Sequence, residues 1–359
     1  MSTIFWISAA IVAYVYAGYP LLLALWARVA RRHRRRPSIE AITAWPSISI
    51  VLAARNEAAR LPARLTNLLT IPYPGRREVI VVSDGSTDGT RAAVAAFGGA
   101  VRLVDVPAGG KPLALNAGVA AASGDVIVFA DARQQFAEDA LLHLAANFAD
   151  PHVGGATGEL VLDAEQHETD STVGDGVGLY WRYEKWLRRN ESAVWSTVGA
   201  TGAIYALRRD LWRPLPAGTL LDDVLAPMRA VLDGWRIVSD ERACAFDRAS
   251  PDAEAETRRK VRTLAGNYQI LAQEPRVLVP MVNPVWLQYM SHKVGRLLVP
   301  WALLGALFAS ASLIFEGWLY ACAFGVQALF YLLAAWGGWS EQRTRRAAHF
   351  AGRLREVAR

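Results

Sequence analysis

Residues 47–58 read SISIVLAARNEA and residues 125–136 read DVIVFADARQQF, with EVIVVSDGSTDGT (78–90) and VRLVDV (101–106) between them. Ser47–Ala54, Glu78–Ser83, Val101–Val106 and Asp125–Ala130 are short runs rich in β-branched side chains, the pattern of strands buried on both faces. Helix-like stretches begin near Glu57, Thr87, Lys111 and Glu138. Strand then helix, repeated four times, predicts an α/β fold with a parallel sheet covered on both sides. Sheets of this kind take ligands past the carboxyl ends of their strands. There the sequence sets Arg55, Asn56 and Glu57 after the first strand, Asp84 after the second and Asp131 after the fourth.

The rest of the 359-residue chain is organised by charge. Two cysteines, Cys244 and Cys322, exclude a disulfide scaffold or a multi-thiolate zinc module, and a hydrophobic fraction of 53% excludes a disordered chain. Residues 1–27, 297–315 and 317–340 carry no charged side chain. About 20 apolar residues cross a bilayer, so three membrane helices are expected. Arg28, Arg31, Arg32, Arg34, Arg35 and Arg36 follow the first, and Arg343, Arg345, Arg346, Arg353, Arg355 and Arg359 follow the third. Such clusters stay in the cytosol, which puts residues 28–296 and the tail on the cytosolic side of a bacterial plasma membrane. The net charge of +6 is thereby accounted for beside the membrane, without a nucleic-acid partner. The expected division is a membrane helix at 1–27, a basic linker at 28–46, a catalytic domain at 47–275, an interfacial helix at 276–296, a membrane hairpin at 297–340 and a basic tail at 341–359. Residues 163–176 are polar and read as a loop.

Several segments carry candidate chemistry. Asp131 ends an apolar strand, where it can ligate a hard cation such as Mg2+ or Mn2+ bound to a diphosphate. Gly109, Gly110 and Lys111 open a helix in GGKPLALNAG (109–118), and backbone donors beside a cation suit an anionic ligand, although a Gly-rich loop has the same composition. In GATGAIYALRR (199–209) a small-residue turn feeds a strand, and in LLDDVLAPMRAVLDGWRI (220–237) Asp222 and Asp223 head an amphipathic helix that ends at Gly234. Acids in a first helical turn also serve the helix dipole. The helix at 254–271 concentrates Arg258, Arg259, Lys260 and Arg262 in its first half, a solvated or membrane-surface face. Tyr180, Trp181, Tyr183 and Trp186 share another helix, for packing, for the lipid interface or for stacking on a sugar. His292 reads as a surface contact on the interfacial helix.

Together SIVLAARNEA, VVSDGSTDGT, GGKPLALNAG, VFADARQQF, GATGAIYALRR and LDDVLAPMR, with RRKVRT more loosely, resemble the membrane-bound, processive-type branch of glycosyltransferase family 2, across roughly Ile48–Leu271. That branch includes cellulose, chitin, hyaluronan and poly-N-acetylglucosamine synthases, and the one-plus-two helix arrangement is similar to that of rhizobial chito-oligosaccharide synthases. The resemblance implies a GT-A fold and an inverting transfer from a nucleotide sugar, a uridine diphosphate sugar by analogy, to a saccharide acceptor, with Mg2+ or Mn2+ as cofactor. It places Asn56, Glu57 and Asp84 at the nucleotide end of the donor pocket, with Arg55 beside them, and Lys111 near the diphosphate. It makes Asp131 the first carboxylate of the metal-binding DxD and Asp223 the catalytic acid, with Asp222 beside it. Thr201 and Gly202 fall on the acceptor side, to which Trp181 is also assigned. Arg259 and Arg262 fall where the synthases carry QxxRW.

This sequence departs from the pattern at Ser83, which replaces the first acid of DDGS, at Arg133, which replaces the second acid of DxD, and at Thr263, which replaces the tryptophan of QxxRW. The second departure bears on metal dependence and the third on processivity. Three helices are too few for a sugar-conducting pore, so export calls for a partner or an oligomer. Two further readings stay open: single-sugar transfer to a lipid such as polyprenyl phosphate, and a non-catalytic nucleotide-binding subunit.

Overall fold

Alternate residues of the first strand serve two different cores. Ile48, Ile50 and Leu52 join one buried cluster and Val51 joins another, all at 1% exposure or less. A strand apolar on both faces must lie inside a sheet with a layer on each side. The computed structural model describes residues 1–30, 38–162, 172–247 and 253–357. The arginines at 31–36 and residues 163–171 of the expected loop lie outside the described residues, as do the side chains of the tail, whereas residues 172–176 are the start of a helix and not a loop.

Among the described residues eight strands form one mixed sheet: β1 (Ile48–Ala54), β2 (Arg77–Asp84), β3 (Arg102–Val106), β4 (Val126–Ala130), β5 (Gln135–Phe136), β6 (Val153–Leu162), β7 (Ile204–Arg208) and β8 (Arg236–Asp247), in the order β3-β2-β1-β4-β7-β6-β8-β5. The first four run parallel, as the strand-helix alternation predicts. β7 pairs antiparallel with β4, in a register that sets Ala130 opposite Ile204. The turn before β7 therefore stands beside Asp131, at the edge where the parallel strands end.

The chain divides into two compact units, Tyr19–Val294 and the paired segments Met1–Gly18 and Gly295–Arg359. In the second of these, α1 (Ser2–Ala13) packs along α11 (Gly295–Ser312), and Gln327 of α12 (Trp318–Val357) donates to the Leu303 carbonyl at 2.7 Å. The larger unit holds α2 (Tyr19–Ala30), the helices of the sheet layers α3 (Leu61–Thr70), α4 (Thr90–Ala95), α5 (Lys111–Ala121), α6 (Ala140–Ala146) and α8 (Asp222–Leu232), the long helices α7 (Thr172–Val194) and α9 (Ala253–Gln273), and the single turn α10 (Trp286–Tyr289). Among the described residues three stretches are long and apolar enough to cross a membrane, Ser2–Ala30, Trp286–Ser312 and Trp318–Gly337. The second begins inside the segment that the sequence assigned to the membrane surface. His292 within it is 2% exposed, not a surface contact, because Glu184 and Glu191 of α7 meet its ring.

Helix α5 lies against β1 and β2 at Gly118, where an added Cβ would fall 2.5 Å from Val51 Cγ1 and 2.9 Å from Val82 Cγ2. Gly118→Ala should destabilise the detergent-solubilised protein by about 1–3 kcal/mol, the usual cost of overpacking. Gly99→Ala, with nothing within 4 Å of its added Cβ, should stay within about 0.5 kcal/mol. Thermal unfolding of both variants checks the packing.

Candidate active site

The loop after β1 is tied to the turn after β2 by side-chain oxygens. Asn56, in the left-handed region at φ 56°, accepts from Thr87 N at 2.9 Å and donates its own N–H to Ser86 Oγ at 3.2 Å. Glu57 N donates to Thr90 Oγ1 at 2.9 Å, and the Glu57 carboxylate pairs with Arg60. Arg55 is exposed and makes no ion pair among the described residues. Asn56 and Glu57 thus shape the rim of the sheet, using polar groups that the sequence assigned to a ligand.

Asp84 is 4% exposed, and its carboxylate accepts from Gly109 N at 2.6 Å and from Gly110 N at 3.1 and 3.0 Å. The Gly-Gly donors that the sequence offered to an anionic ligand are engaged by this acid. Asp84 is therefore the anchor that fixes the start of α5. Ser83, just before it, is fully buried in β2.

Lys111, the first residue of α5, extends to the end of β4. Its Nζ donates to Asp131 Oδ1 at 3.0 Å and lies 3.4 Å from Asp222 Oδ2, an ion pair outside hydrogen-bond geometry. Asn116 of α5 and Leu215 exchange two hydrogen bonds, Nδ2 to O at 2.9 Å and N to Oδ1 at 2.8 Å, which tie that helix to the segment leading into α8. Helix α9 holds the same segment: Gln269 bonds the Leu220 N–H and the Gly218 carbonyl, each at 2.9 Å, and Arg262 Nη2 donates to the Leu220 carbonyl at 2.9 Å. Arg259 sits one turn earlier on α9 and is exposed. These bonds deliver Asp222 and Asp223 to the edge that bears Asp131.

Asp223 lies against the turn that precedes β7. Ala200 N donates to its carbonyl at 2.7 Å, and a Cβ at Gly202 would fall 2.8 Å from Asp223 Oδ2, so only glycine leaves room for the carboxylate. Thr201 N donates to Thr157 Oγ1 at 2.8 Å, and the Thr201 hydroxyl accepts from Arg188 of α7. Trp181, half-buried, is seven residues before Arg188 and shares its helix face.

The electrostatics follow from crowding three acids. Burial, then the neighbouring Asp222 carboxylate, pushes Asp223 up to about 6, against the pull of the Lys111 and Lys293 ammoniums. Burial works against the Lys111 charge, but Asp131, Asp222 and Asp223 together hold it above the usual lysine range. Two groups not identified from sequence complete the base of the site. Arg64, fully buried and 4.1 Å over the Phe136 ring, donates to the Asp131 carbonyl at 3.0 Å, and burial lowers it to about 9. Tyr205, 1% exposed, stacks on Phe129, and burial with the three acids raises its phenol far above the ordinary range. Arg64 has a sequence signal, a charge on the Leu61-Leu65-Leu68 stripe of α3, whereas Tyr205 has none.

Asp131 is the one acid of its D-x-D segment, and its side chain is 37% exposed. Arg133 turns to Asp247, whose Oδ2 also accepts from Gln134 Nε2 at 2.9 Å. Among the described residues no three His, Cys, Asp or Glu side chains converge to hold a metal ion. The donor set fits a divalent cation that takes one protein oxygen, from Asp131, and completes its shell with ligand oxygens and water.

Residues 49–212 match the sequence profile of glycosyl transferase family 2. An N-acetylglucosaminyltransferase of Rhizobium leguminosarum bv. trifolii is 34% identical over 123 residues, which are 32% of this chain and 68% of that protein. A beta-monoglucosyldiacylglycerol synthase of Nostoc sp. is 29% identical over 202 residues, 54% of this chain and 42% of the relative, so the chain spans less than half the length of that protein. A mannosyltransferase of Pyrobaculum calidifontis, solved with GDP-Man and Mn2+, shares the fold with a TM-score of 0.70 at 23% identity, covering 94% of each chain.

Crowding also predicts a signature in stability. Asp223 ionises near 6 in the folded chain but near 3.8 when unfolded. Its charge therefore lowers stability as pH rises through that window, and the penalty is absent below it. Asp223→Asn should raise the thermal unfolding temperature at pH 7, and the gain should shrink as pH falls below about 6 and vanish below about pH 3. A loss of stability at pH 7 would instead mark the acid as a helix-start support.

Proposed function

Because this chain belongs to glycosyl transferase family 2, we propose that it is an inverting glycosyltransferase, moving a sugar from a nucleoside-diphosphate donor to an acceptor hydroxyl at the cytosolic face of a bacterial plasma membrane. The observation that carries the reading is the ammonium of Lys111, whose Nζ is set between Asp131 and Asp222 with Asp223 at their side. It supplies a cation for a departing diphosphate and a carboxylate for an attacking hydroxyl on one edge of the sheet.

Asp223 accepts the proton of the acceptor hydroxyl as that oxygen bonds to the anomeric carbon. The bond to the diphosphate breaks on the opposite face, so an α-linked donor gives a β-linked product. An acid raised to about 6 is ionised at neutral pH yet basic enough to take a proton, and general-base help is worth about 10² to 10⁴ in rate. Lys111 meets the negative charge on the leaving group, with Arg262 and Arg259 on the neighbouring helix. Asp222 holds Lys111 and keeps Asp223 basic by like-charge repulsion. A Mg2+ or Mn2+ ion bound through Asp131 would add Lewis-acid charge to the diphosphate. Thr201, Gly202 and Trp181 border the acceptor side, and Arg55, Asn56, Glu57 and Asp84 frame the nucleotide end.

The acceptor is a saccharide of a surface polysaccharide or oligosaccharide, and the donor a uridine diphosphate sugar. A second reading, one sugar added to a lipid, is favoured by the Nostoc relative, whose name makes it a glucosyl-diacylglycerol synthase. Purified full-length protein in lipid, screened with UDP- and GDP-sugars with and without Mn2+ and analysed by mass, separates them: a ladder of products means polymerisation, and one organic-soluble product means lipid glycosylation. Asp223→Asn should lower transfer by about 10² or more while the donor still binds, and Lys111→Met should weaken the donor. Unchanged transfer in Asp223→Asn would overturn the assignment.

A further inference from the structure

Helix α7 carries a cation that its own acids do not neutralise. Trp181, Glu184, Arg188 and Glu191 follow one another along one face of the helix. Acids three and four residues away on the same face are the ordinary ion-pair partners of an arginine. Here both are engaged elsewhere. His292 Nδ1 lies 2.7 Å from Glu191 Oε1, His292 Nε2 lies 3.3 Å from Glu184 Oε2, and Tyr19 Oη donates to Glu191 Oε1 at 2.9 Å. Glu191 is fully buried and His292 nearly so, and stranding either group would cost its full desolvation.

The adjoining bases are neutralised. Lys185 meets Glu159 at 3.1 Å, and Arg189 meets Glu159 at 3.2 Å and Glu241 at 2.6 Å. Arg188, half-buried, makes no ion pair among the described residues, and its hydrogen bond goes to the Thr201 hydroxyl. The turn it touches is the one against which Asp223 rests. There the Ala200 N–H donates to the Asp223 carbonyl at 2.7 Å, and a Cβ at Gly202 would fall 2.8 Å from Asp223 Oδ2. A partly desolvated guanidinium is stabilised by an anion, and its planar N–H groups match the paired oxygens of a carboxylate or a phosphate.

We infer that Arg188 is an acceptor-binding residue: the acceptor carries an anionic group, a carboxylate or a phosphate, near the hydroxyl that attacks, and Arg188 receives it. Lys111 serves the leaving diphosphate, so two cations serve two anions. The His292 cluster keeps Arg188 available by holding Glu184 and Glu191. Trp181, two turns earlier on the same face, is placed to border the sugar that bears the charge. This inference rests on the assignment of Asp223 as the base.

Full-length protein in neutral detergent tests it, at fixed ionic strength and with UDP and GDP both present to fill the donor pocket. Glucuronate, glucose 6-phosphate and glucose are the probes, and the shift in unfolding temperature is the readout. At least one charged sugar should give a shift about twofold or more above that of glucose, and which one does so separates a carboxylate-bearing acceptor from a phosphate-bearing one. Arg188→Gln should abolish the difference, and Arg188→Lys should keep most of it. In Asp223→Asn, which removes a like charge close to the bound anion, the shift should grow by about twofold or more. Equal shifts from charged and neutral sugars would overturn the inference. So would a difference that survives in Arg188→Gln, or a shift that does not grow in Asp223→Asn. Should Arg188→Gln fail to fold, Arg188→Met and the Asp223→Asn arm still decide. Transfer that survives Asp223→Asn would fail the functional reading separately, whatever the probes return.

Discussion

One ammonium holds the site together. Asp131, Asp222 and Asp223 come from a strand end and a helix start far apart in sequence, and like charges this close repel unless a cation lies among them. Lys111 Nζ supplies it, 3.0 Å from Asp131 and 3.4 Å from Asp222. Such pairing in a partly dry cleft is worth keeping only because the alternative, a bare buried carboxylate, is costly. The same arrangement leaves the Lys111 side chain 32% exposed beside its two partners.

Around that ion the scaffold is built to remove freedom. Asp84 clamps the two glycine N–H groups that open α5. Asn116 ties α5 to the segment before α8, Gln269 and Arg262 of α9 hold the last loop residues, and the glycine at 202 lets the Asp223 carboxylate lie against the turn before β7. Every one of these devices acts on the approach of Lys111 to the acids or on the direction of Asp223. A site held by hydrogen bonds from side chains to backbone is preorganised, the condition under which electrostatic stabilisation is most effective. The sheet needs both cores to carry this load.

Much of this was legible in the sequence. The four apolar runs mark β1 to β4 within a residue or two, because a strand buried on both faces has little choice of composition. Strand ends then pointed to Asp84 and Asp131, and the paired acids at 222 and 223 stood out at a helix start. What the sequence could not convey was which donors meet which acceptors. Asp84 and the 109–110 glycines look like two ligand sites and are partners to each other. Arg133, at the second acid of D-x-D, could have faced a ligand, but the neighbouring β8 offers Asp247 and turns it away. His292 looks like a surface residue until α7 is placed beside it. These are long-range pairings, set by packing that no local pattern encodes.

The central claim is that Lys111 and Asp222 are a coupled pair and not neighbours by chance. A double-mutant cycle of Lys111→Met and Asp222→Asn, read in the free energy of unfolding at pH 7, measures that coupling directly. A coupling of about 1–3 kcal/mol is predicted, whereas effects that add within about 0.5 kcal/mol would contradict the account.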